Sequence, residues 1–442
     1  MSIYKDCDIR GVYEKEFDAE DAYRIGRAIG TIMTGKRVCV SGDVRLSTPL
    51  LKARLSAGLL ESGADIVDLG LTPTPAFYYA LKILDVDGGV MVTASHNPPQ
   101  YNGFKIALGP MPITPEDIAR IKDLVEKNDF AVGSGKTASY DIVPQYLAFL
   151  GTLDRLDGLS VVVDAANGSM SEIAPLAFEN LGCAVTRLFC EFDGRFPNRN
   201  PNPAVYSHLS ALCEKVVETQ ADFGVGFDGD GDRAVFVSDK GVAVQSETSL
   251  GIFAREYLEK TPGPVVYDLK SSSVVKKSVL ESGGRPVMEK SGHAFIRRTF
   301  LERNAPLAGE ISGHFFFGEL GHDDGLYAAL RMGAIVKKRD ALSALVAAMP
   351  QSVISPDLRI HCPYADQDAV MRQVEKYGEE SGAEISRLDG VRLEFDDGWM
   401  LVRKSVTEEA LTLRFEAENA EAFDAMKKRM GERLAVFREV LG

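Results

Sequence analysis

A strand–helix–strand pattern that occurs three times constrains the fold of this chain more than any other feature. In each copy an apolar strand is followed by a helical stretch, a glycine-containing turn and a second strand. The paired strands are 37–43 with 66–69, 160–164 with 184–186, and 264–268 with 286–288. Because strands joined by such a crossover run parallel in one sheet, a spacing of about a hundred residues predicts three similar α/β domains.

The chain continues beyond the third copy with a different pattern. From residue 356 onward, short segments alternate apolar and polar residues as half-exposed strands do, and two longer segments are amphipathic. The strand segments are 358–361, 390–395, 399–403 and 411–415, and the helical segments are 365–382 and 420–440. We predict an α/β fold class, with similar mixed α/β domains at 1–145, 146–250 and 251–352 and a smaller C-terminal α+β domain at 353–442.

The third strand of each copy ends in a polar loop of a different kind. Segment 88–92 leads into the loop of Ser95, 222–227 leads into 228–233, and 306–308 leads into 309–314. Ligands of open α/β sheets bind at the carboxyl ends of the strands. We therefore expect the three loops to line one central cleft.

The second of these loops has the composition of a metal site. Asp228, Asp230 and Asp232 alternate with glycines, which allow a tight turn with the carboxylates facing one point. Oxygen ligands that leave positions open for water or phosphate suit Mg²⁺. An EF-hand loop is excluded because Arg233 stands where that loop needs glycine. A structural Asp–Gly turn is the other alternative, and repulsion between the carboxylates favours a cation.

The first loop supplies a hydroxyl, Ser95, next to His96 and a proline turn. By itself it fits an ordinary polar turn as well as an exposed nucleophile. A divalent cation, Arg233 beside it and Ser95 at a neighbouring strand end are the components of phosphoryl transfer, with Ser95 as the covalent carrier. Lys105 is a candidate for proton transfer, and Arg10 is a candidate anion contact.

Bulk properties exclude several classes of partner. The net charge is −14, and no run of Lys or Arg is longer than 337–339, so a nucleic-acid-binding face is not expected. No stretch of about 18 apolar residues is present, so no membrane span is expected. The six cysteines are scattered without a Cys-x-x-Cys pair, which indicates reduced thiols in a cytoplasmic protein.

These motifs together resemble those of the α-D-phosphohexomutase family, and most closely its bacterial phosphomannomutase/phosphoglucomutase members. The matching segments occur in family order and cover nearly the whole chain. They are 8–11, 93–98, 103–105, 228–233, 290–293, 309–314 and the stretch Arg403-x-Ser405-x-Thr407. The serine loop and the aspartate loop together make the resemblance specific.

The resemblance implies four domains around one cleft and a reversible interconversion of hexose 1-phosphate and hexose 6-phosphate, with mannose or glucose as the sugar. Ser95 would be phosphorylated in the resting enzyme, and Mg²⁺ would be held by Asp228, Asp230, Asp232 and the phosphate on Ser95. By this resemblance a 1,6-bisphosphate would form as the intermediate, and a glucose 1,6-bisphosphate-type compound would act as activator. The expected partner is a small phosphosugar, and the chain is expected to be a monomer or a homodimer.

The resemblance also implies a role for each matching residue. Arg10 and Lys105 would face the transferring phosphoryl group beside Arg233, and His96 would orient the nucleophile. The substrate contacts would be Glu310 and Ser312 for sugar hydroxyls, Arg403, Ser405 and Thr407 for the phosphate that is not transferred, and Lys270, His293 and His314 as further contacts.

Some positions depart from the family pattern. Cys7 lies where relatives often carry an aromatic residue, and Val406 and Glu409 alter the phosphate loop. Phosphoglucosamine mutases usually carry glutamine where Ile311 stands, so a neutral hexose is favoured over that alternative. A metal-dependent sugar phosphatase and a non-catalytic sugar-phosphate sensor are alternatives from other classes.

Overall fold

The computed structural model describes residues 2–405 and 409–441. Within these residues the strands form four sheets that follow one another along the chain. No helix in the described part has the length and apolar character that crossing a membrane requires. The architecture confirms the predicted fold class of mixed α/β units followed by an α+β unit.

The first sheet contains the first copy of the repeat. The elements of this part are β1 (Ile9–Val12), α1 (Ala19–Ile32), β2 (Arg37–Gly42), α2 (Thr48–Glu61), β3 (Asp65–Leu71), α3 (Thr74–Ile83), β4 (Gly88–Val92), β5 (Tyr101–Ala107), α4 (Pro115–Lys127), β6 (Thr137–Ser139) and α5 (Val143–Leu150). The strand order is β1-β5-β4-β2-β3-β6, and β2 is parallel to both β3 and β4.

The second and third sheets repeat this parallel core. The second part contains β7 (Ser160–Asp164), α6 (Ile173–Asn180), β8 (Ala184–Leu188), a 3₁₀ turn (Tyr206–Leu209), α7 (Ser210–Thr219), β9 (Phe223–Phe227) and β10 (Ala234–Ser238). The third contains α8 (Ser246–Leu258), β11 (Pro264–Asp268), α9 (Ser273–Glu281), β12 (Arg285–Glu289), α10 (His293–Glu302), β13 (Leu307–Gly309), β14 (Phe315–Phe317), β15 (His322–Asp323), α11 (Gly325–Lys338) and α12 (Leu342–Ala347). In both, the first strand is parallel to the second and to the third, which confirms the repeat.

The fourth sheet is antiparallel, with the order β16-β21-β20-β19-β18 and with β17 also paired to β21. Its elements are β16 (Val353–Ile354), β17 (Leu358–His361), α13 (Tyr364–Glu380), β18 (Glu384–Ser386), β19 (Val391–Phe395), β20 (Gly398–Lys404), β21 (Ala410–Ala417), α14 (Ala420–Arg433), a 3₁₀ turn (Ala435–Phe437) and α15 (Arg438–Leu441). The predicted helix over 420–440 is wrong, because α14 ends at Arg433. The chain turns at Leu434, and the break lets Leu434 and Phe437 bury their side chains in the core.

Burial on both faces explains why the central strands are parallel and apolar. In β2, Val38 and Val40 pack in a core with α1 and α2, whereas Cys39 points into the opposite core. That second core is continuous from Phe77 in the first part to Phe317 in the third. The first three units are therefore joined by shared apolar packing rather than by a flexible linker.

Two of the expected domain boundaries, after residues 145 and 250, fall inside helices α5 and α8. A continuous helix is a poor place for a boundary because its backbone hydrogen bonds cross the division. We propose that the second unit begins with α5 at Val143 and the third with α8 at Ser246.

Asp324 is a buried carboxyl at the junction of the second and third units. It caps α11 by accepting a hydrogen bond from the backbone N–H of Tyr327 (2.8 Å), and it accepts a second from the hydroxyl of Tyr146 on α5 (2.8 Å). Burial raises the pKa of Asp324 to about 7, although these two hydrogen bonds act in the opposite direction. Asp324 therefore titrates near neutral pH.

We expect Asp324→Asn to stabilise the protein at and above neutral pH. A carboxyl whose pKa is higher in the folded state stabilises the fold at low pH, and this contribution is lost as the pH rises towards about 7. Asparagine keeps the helix cap and does not ionise. The gain in unfolding free energy should therefore grow from about pH 5 to about pH 8, reaching about 2 kcal/mol. Urea unfolding at both pH values measures it, with the exposed Asp85→Asn as control, and a pH-independent difference would contradict the interpretation.

Candidate active site

The loops that follow β4, β9 and β13 meet in one cleft of about 820 Å³. This confirms the expectation that the three strand ends face a common space. Each loop contributes lining residues, and β1, β5 and the start of α10 contribute others. The predicted site residues that line the cleft are Arg10, Ser95, Lys105, Arg233, His293, Glu310, Ser312 and His314.

Ser95 contacts the aspartate loop directly. Its hydroxyl donates a hydrogen bond to Oδ2 of Asp228 (2.6 Å), and it lies 3.3 Å from Nδ1 of His96. Ser95 has a backbone φ of 50°, which places a non-glycine residue in the left-handed region. Burial, together with the charges of Arg233 and Arg10, lowers the pKa of His96, so its ring is neutral beside the hydroxyl.

The three aspartates fit a divalent cation. One ligand oxygen of each lies within 4.8 Å of the others, and all three side chains are buried. Oδ1 of Asp230 and Oδ1 of Asp232 are buried without a hydrogen-bond partner among the described residues. Burial and the charges of Asp230 and Asp232 raise the pKa of Asp228 well above its usual range. A hard cation would satisfy the unpartnered oxygens and relieve this repulsion.

Lys105 lies against the same carboxylates. Its ammonium donates to Oδ2 of Asp230 (2.7 Å) and also forms an ion pair with Asp232. Burial works against the charged form, but the two carboxylates outweigh it and raise the pKa of Lys105. Lys105 is therefore a cation at neutral pH and supplies positive charge to the aspartate cluster that the Ser95 hydroxyl also contacts.

A hydrogen-bonded chain connects the aspartate loop to the third unit. Nε of Arg233 donates to Nε2 of His314 (3.0 Å), so the ring proton of His314 is on Nδ1, which donates to Asp323 (2.6 Å). Nε2 of His293 lies 2.8 Å from the other oxygen of Asp323. Sequence reasoning missed Asp323. The signal that could have revealed it is the pair Asp323-Asp324 before an apolar helix, since capping of the helix accounts for Asp324 alone.

Glu310 and Ser312 present polar atoms to the cleft from the loop after β13. The Ser312 hydroxyl donates to Oε2 of Glu310 (2.8 Å), and the backbone N–H of Gly292 donates to Oε1 (3.3 Å). These bonds fix a carboxylate and a hydroxyl side by side. The pair has the geometry to bind adjacent hydroxyl groups of a ligand.

Two of the other predicted substrate contacts, Lys270 of the third unit and Arg403 of the C-terminal unit, are not among the described residues that line this cleft. Lys270 donates to Asp357 (3.0 Å), and Arg403 forms an ion pair with Asp389. Ser405 follows β20, and Thr407 and Val406 lie outside the described residues. The phosphate-binding role of this group stays a prediction.

Arg45 is a buried cation that sequence reasoning missed, although the apolar strand ending in Asp43 was recognised. Its guanidinium pairs with Asp43 (3.0 Å) and donates to the backbone carbonyls of Ser95 (2.8 Å), Asn97 (2.6 Å), Pro98 (2.7 Å) and Tyr101 (3.0 Å). One side chain thus satisfies four carbonyls in the stretch from Ser95 to Tyr101. Arg45 holds the left-handed backbone of the Ser95 loop in place.

We expect Arg45→Lys to lower the free energy of unfolding by about 3 kcal/mol, because one ammonium cannot replace a planar guanidinium that serves four buried carbonyls. Urea denaturation measures the change. The matched control is Arg37→Lys, whose half-exposed side chain pairs with Asp85 at the surface and should cost no more than about 0.5 kcal/mol. Equal losses in the two variants would show that Arg45 is not the residue that holds the loop.

Known protein families match the chain along most of its length. The matching descriptions are Phosphoglucomutase/phosphomannomutase alpha/beta/alpha domain I over residues 1–132, domain II over 144–241, domain III over 245–353, and the C-terminal domain over 360–432. The chain belongs to the phosphoglucomutase/phosphomannomutase family. The four matches follow the order of the four sheets.

Relatives in the phosphoglucomutase/phosphomannomutase family are similar over nearly the full chain. A phosphomannomutase/phosphoglucomutase of Pseudomonas aeruginosa is 39% identical over 434 residues, which cover 96% of this chain and 94% of the relative. A phosphoglucomutase of Neisseria gonorrhoeae is 37% identical over 438 residues, with coverage of 97% and 95%. The crystal structure of a phosphoglucomutase/phosphomannomutase family protein from Burkholderia thailandensis superposes with a TM-score of 0.92 at 37% identity, covering 99% of this chain and 97% of that one. The named relatives are isomerases.

Proposed function

We propose that this protein is a phosphohexose mutase that interconverts hexose 1-phosphate and hexose 6-phosphate, with mannose, glucose or both as the sugar. The observation that carries the proposal is the hydrogen bond of 2.6 Å between the Ser95 hydroxyl and Asp228, one of three clustered buried carboxylates. A phosphate on Ser95 would therefore adjoin a cation held by these carboxylates. The names of the relatives, which include both mannose and glucose mutases, support the choice of sugar.

We propose Mg²⁺ as the resident metal. The carboxylates of Asp228, Asp230 and Asp232, with an oxygen of phosphorylated Ser95, would hold it, and the unpartnered oxygens support this assignment. When bound, the ion neutralises charge on the phosphoryl oxygens. Arg233, Lys105 and Arg10 add positive charge around the same group because they line the cleft beside Ser95.

Ser95 would begin and end each cycle phosphorylated. The free hydroxyl of a hexose phosphate attacks the phosphorus of phospho-Ser95. The bond from phosphorus to the Ser95 oxygen breaks, and the proton of the attacking hydroxyl ends on the Ser95 oxygen, which becomes a free hydroxyl. The product is a hexose 1,6-bisphosphate. After the bisphosphate has reversed its orientation in the cleft, Ser95 takes the other phosphoryl group, and the isomeric monophosphate is released. A glucose 1,6-bisphosphate-type compound would prime unphosphorylated enzyme by the same chemistry.

The remaining contacts would hold the sugar before and after the intermediate reverses its orientation. Glu310 and Ser312 are fixed side by side and would bind adjacent hydroxyls in either orientation. Arg403, Ser405 and Thr407 would bind the phosphate that is not transferred, and we propose that Lys270, one of the further contacts, joins them. Lys270 and Arg403 would then exchange their carboxylate partners for the phosphate. Binding of the remote phosphate orients the reacting hydroxyl, which lowers the barrier without chemistry at the remote site.

The experiment is an activity panel with mannose 1-phosphate, glucose 1-phosphate and glucosamine 1-phosphate, primed with glucose 1,6-bisphosphate. We expect Mg²⁺-dependent formation of 6-phosphates from mannose or glucose 1-phosphate. Phosphorus NMR separates 6-phosphate from inorganic phosphate. Release of inorganic phosphate without isomerised product would indicate a phosphatase, and turnover of glucosamine 1-phosphate alone would indicate a phosphoglucosamine mutase.

We also propose a cytoplasmic location. The free state of all six cysteines supports it, since disulfides persist mainly in oxidising compartments. The choice between monomer and homodimer stays open, and sedimentation of the purified protein would decide it.

A further inference from the structure

The segment 269–273, between β11 and α9, belongs to the third unit in sequence but is bound to the fourth sheet. It carries Lys270, a proposed ligand of the remote phosphate. The side chain of Leu269 packs against Trp399 and Leu401 of β20. This contact joins the third repeat to the sheet that carries Arg403.

Glu416 on β21 holds one end of this segment. Its side chain is buried, with 1% of the residue exposed. The carboxylate accepts hydrogen bonds from the Ser272 hydroxyl (2.9 Å), the Ser273 hydroxyl (2.6 Å), the Ser273 backbone N–H (2.9 Å) and the indole N–H of Trp399 (2.6 Å). These donors carry no formal charge, and most of them belong to segment 269–273. A buried carboxylate depends on such donors, so the contact is specific.

Arg392 on β19 holds the other end. Its Nη1 donates to the backbone carbonyl of Leu269, and its guanidinium lies 3.7 Å from the centre of the Trp399 ring. The same guanidinium is oriented by Glu394 through Nε (2.6 Å). Both ends of segment 269–273 are therefore tied to the fourth sheet.

Lys270 lies between the two ties. Its ammonium reaches Asp357, in the connection between β16 and β17 of the fourth sheet. Arg403 is on β20, which pairs with β21; in that pairing Trp399 lies opposite Glu416, and Arg403, four residues farther along β20, lies opposite Thr412. Lys270 and Arg403 thus lie on two parts of the structure that are hydrogen-bonded to each other, although their positions in the sequence are 133 residues apart.

We infer that Glu416 is a positioning residue that fixes segment 269–273 to the fourth sheet, so that Lys270 and Arg403 bind the remote phosphate as one rigid pair. The inference rests on the proposed function for the role of Lys270. The attachment of segment 269–273 to the fourth sheet can be measured through the exchange of its backbone amides, which does not require enzyme activity.

The first test is Glu416→Gln. In glutamine an NH2 group replaces one of the two acceptor oxygens. This NH2 group would face an N–H donor, the Ser273 backbone or the Trp399 indole, so at least one hydrogen bond is lost and two donors are brought together. We expect KM for mannose 1-phosphate to rise about tenfold and kcat to change by no more than about twofold, because the affected contact is to the non-reacting phosphate. The matched control is Glu418→Gln on the same chain segment, where an exposed carboxylate pairs with Lys277, and its KM should match wild type. A fall in kcat at unchanged KM in Glu416→Gln would overturn the inference.

A double-mutant cycle separates positioning from general destabilisation. If Glu416 acts through Lys270, adding Glu416→Gln to Lys270→Ala should raise KM by less than about twofold beyond Lys270→Ala alone. If the KM increase of the double variant instead equalled the product of the increases in the two single variants, Glu416 would act independently of Lys270, and the inference would be overturned.

Hydrogen–deuterium exchange tests the attachment independently of activity. Peptides that cover 269–273 should exchange faster in Glu416→Gln than in wild type, while peptides that cover the Ser95 loop should not change. If wild type lacked mutase activity, the proposed function would fail and this measurement would still decide the attachment. Unchanged exchange at 269–273 would overturn it. Ser273→Ala removes only the 2.6 Å hydroxyl contact; if Glu416→Gln does not fold, this variant should show the same changes to a smaller extent.

Discussion

Ser95→Ala is expected to reduce mutase turnover by about 10⁴-fold or more, because the variant has no atom to carry the phosphoryl group between the two half-reactions. The fold should be unaffected. The hydroxyl makes one short contact, to Asp228, and the loop is held mainly by Arg45 through backbone carbonyls.

Two measurements check this expectation. Coupled assays with mannose and glucose 1-phosphate give the turnover, and intact mass should show a species heavier by one phosphoryl group in wild type but not in the variant. Ser278→Ala is the control, since Ser278 is buried on α9 and its hydroxyl has no partner among the described residues. A variant that retained turnover, or that still carried the added phosphoryl group, would show that another residue is the carrier.

Asp228→Asn is expected to lower Mg²⁺-dependent turnover by about 10³-fold, the scale of losing a ligand that supports metal-assisted charge stabilisation. In the absence of metal, the same substitution should stabilise the folded protein although it lowers turnover. The pKa of Asp228 is raised by burial and by Asp230 and Asp232, so its ionised form destabilises the fold at neutral pH. Removing that charge should raise the unfolding free energy in chelator by about 1 kcal/mol.

Thermal unfolding with chelator and with Mg²⁺ measures both effects. In wild type, a ligand that binds only the folded state raises the melting temperature, and this increase should be absent from Asp228→Asn. Asp157→Asn makes the same change of net charge at an exposed pair with Arg155 and should retain it. An Asp228→Asn protein that kept full turnover and full Mg²⁺ stabilisation would show that the cation binds elsewhere.

Much of the fold was predictable because its signals are local. Strands buried on both faces are continuous apolar runs, so the parallel pairs of β2 with β3, β7 with β8 and β11 with β12 followed from the repeat. The end of α14 did not follow. The amphipathic pattern continues past Arg433, but the tertiary core draws in Leu434 and Phe437 by turning the chain there.

The site was predictable where chemistry and spacing coincide in one short segment. The Asp228–Asp232 cluster and Ser95 are of this kind. Asp323 and Arg45 were missed because their roles depend on partners distant in sequence: Asp323 is hydrogen-bonded to His314 and His293. The sequence shows that Asp323 precedes a second aspartate and that Arg45 follows a strand ending in Asp43, but it does not show which distant groups these two side chains contact.

By itself, the sequence determined that three α/β units would bring polar loops to strand ends, and that one loop would carry a hydroxyl and another clustered carboxylates. Alternation, apolar runs and glycine spacing are properties of neighbouring residues, so they can be read without coordinates. Only the tertiary structure decided that the Ser95 hydroxyl lies 2.6 Å from Asp228, across 133 residues of chain. It also decided that segment 269–273, which carries Lys270, is tied to the fourth sheet through hydrogen bonds from Ser272 and Ser273 to Glu416. Both depend on how sheets pack against one another, because side-chain contacts between units are set by that packing and not by local pattern.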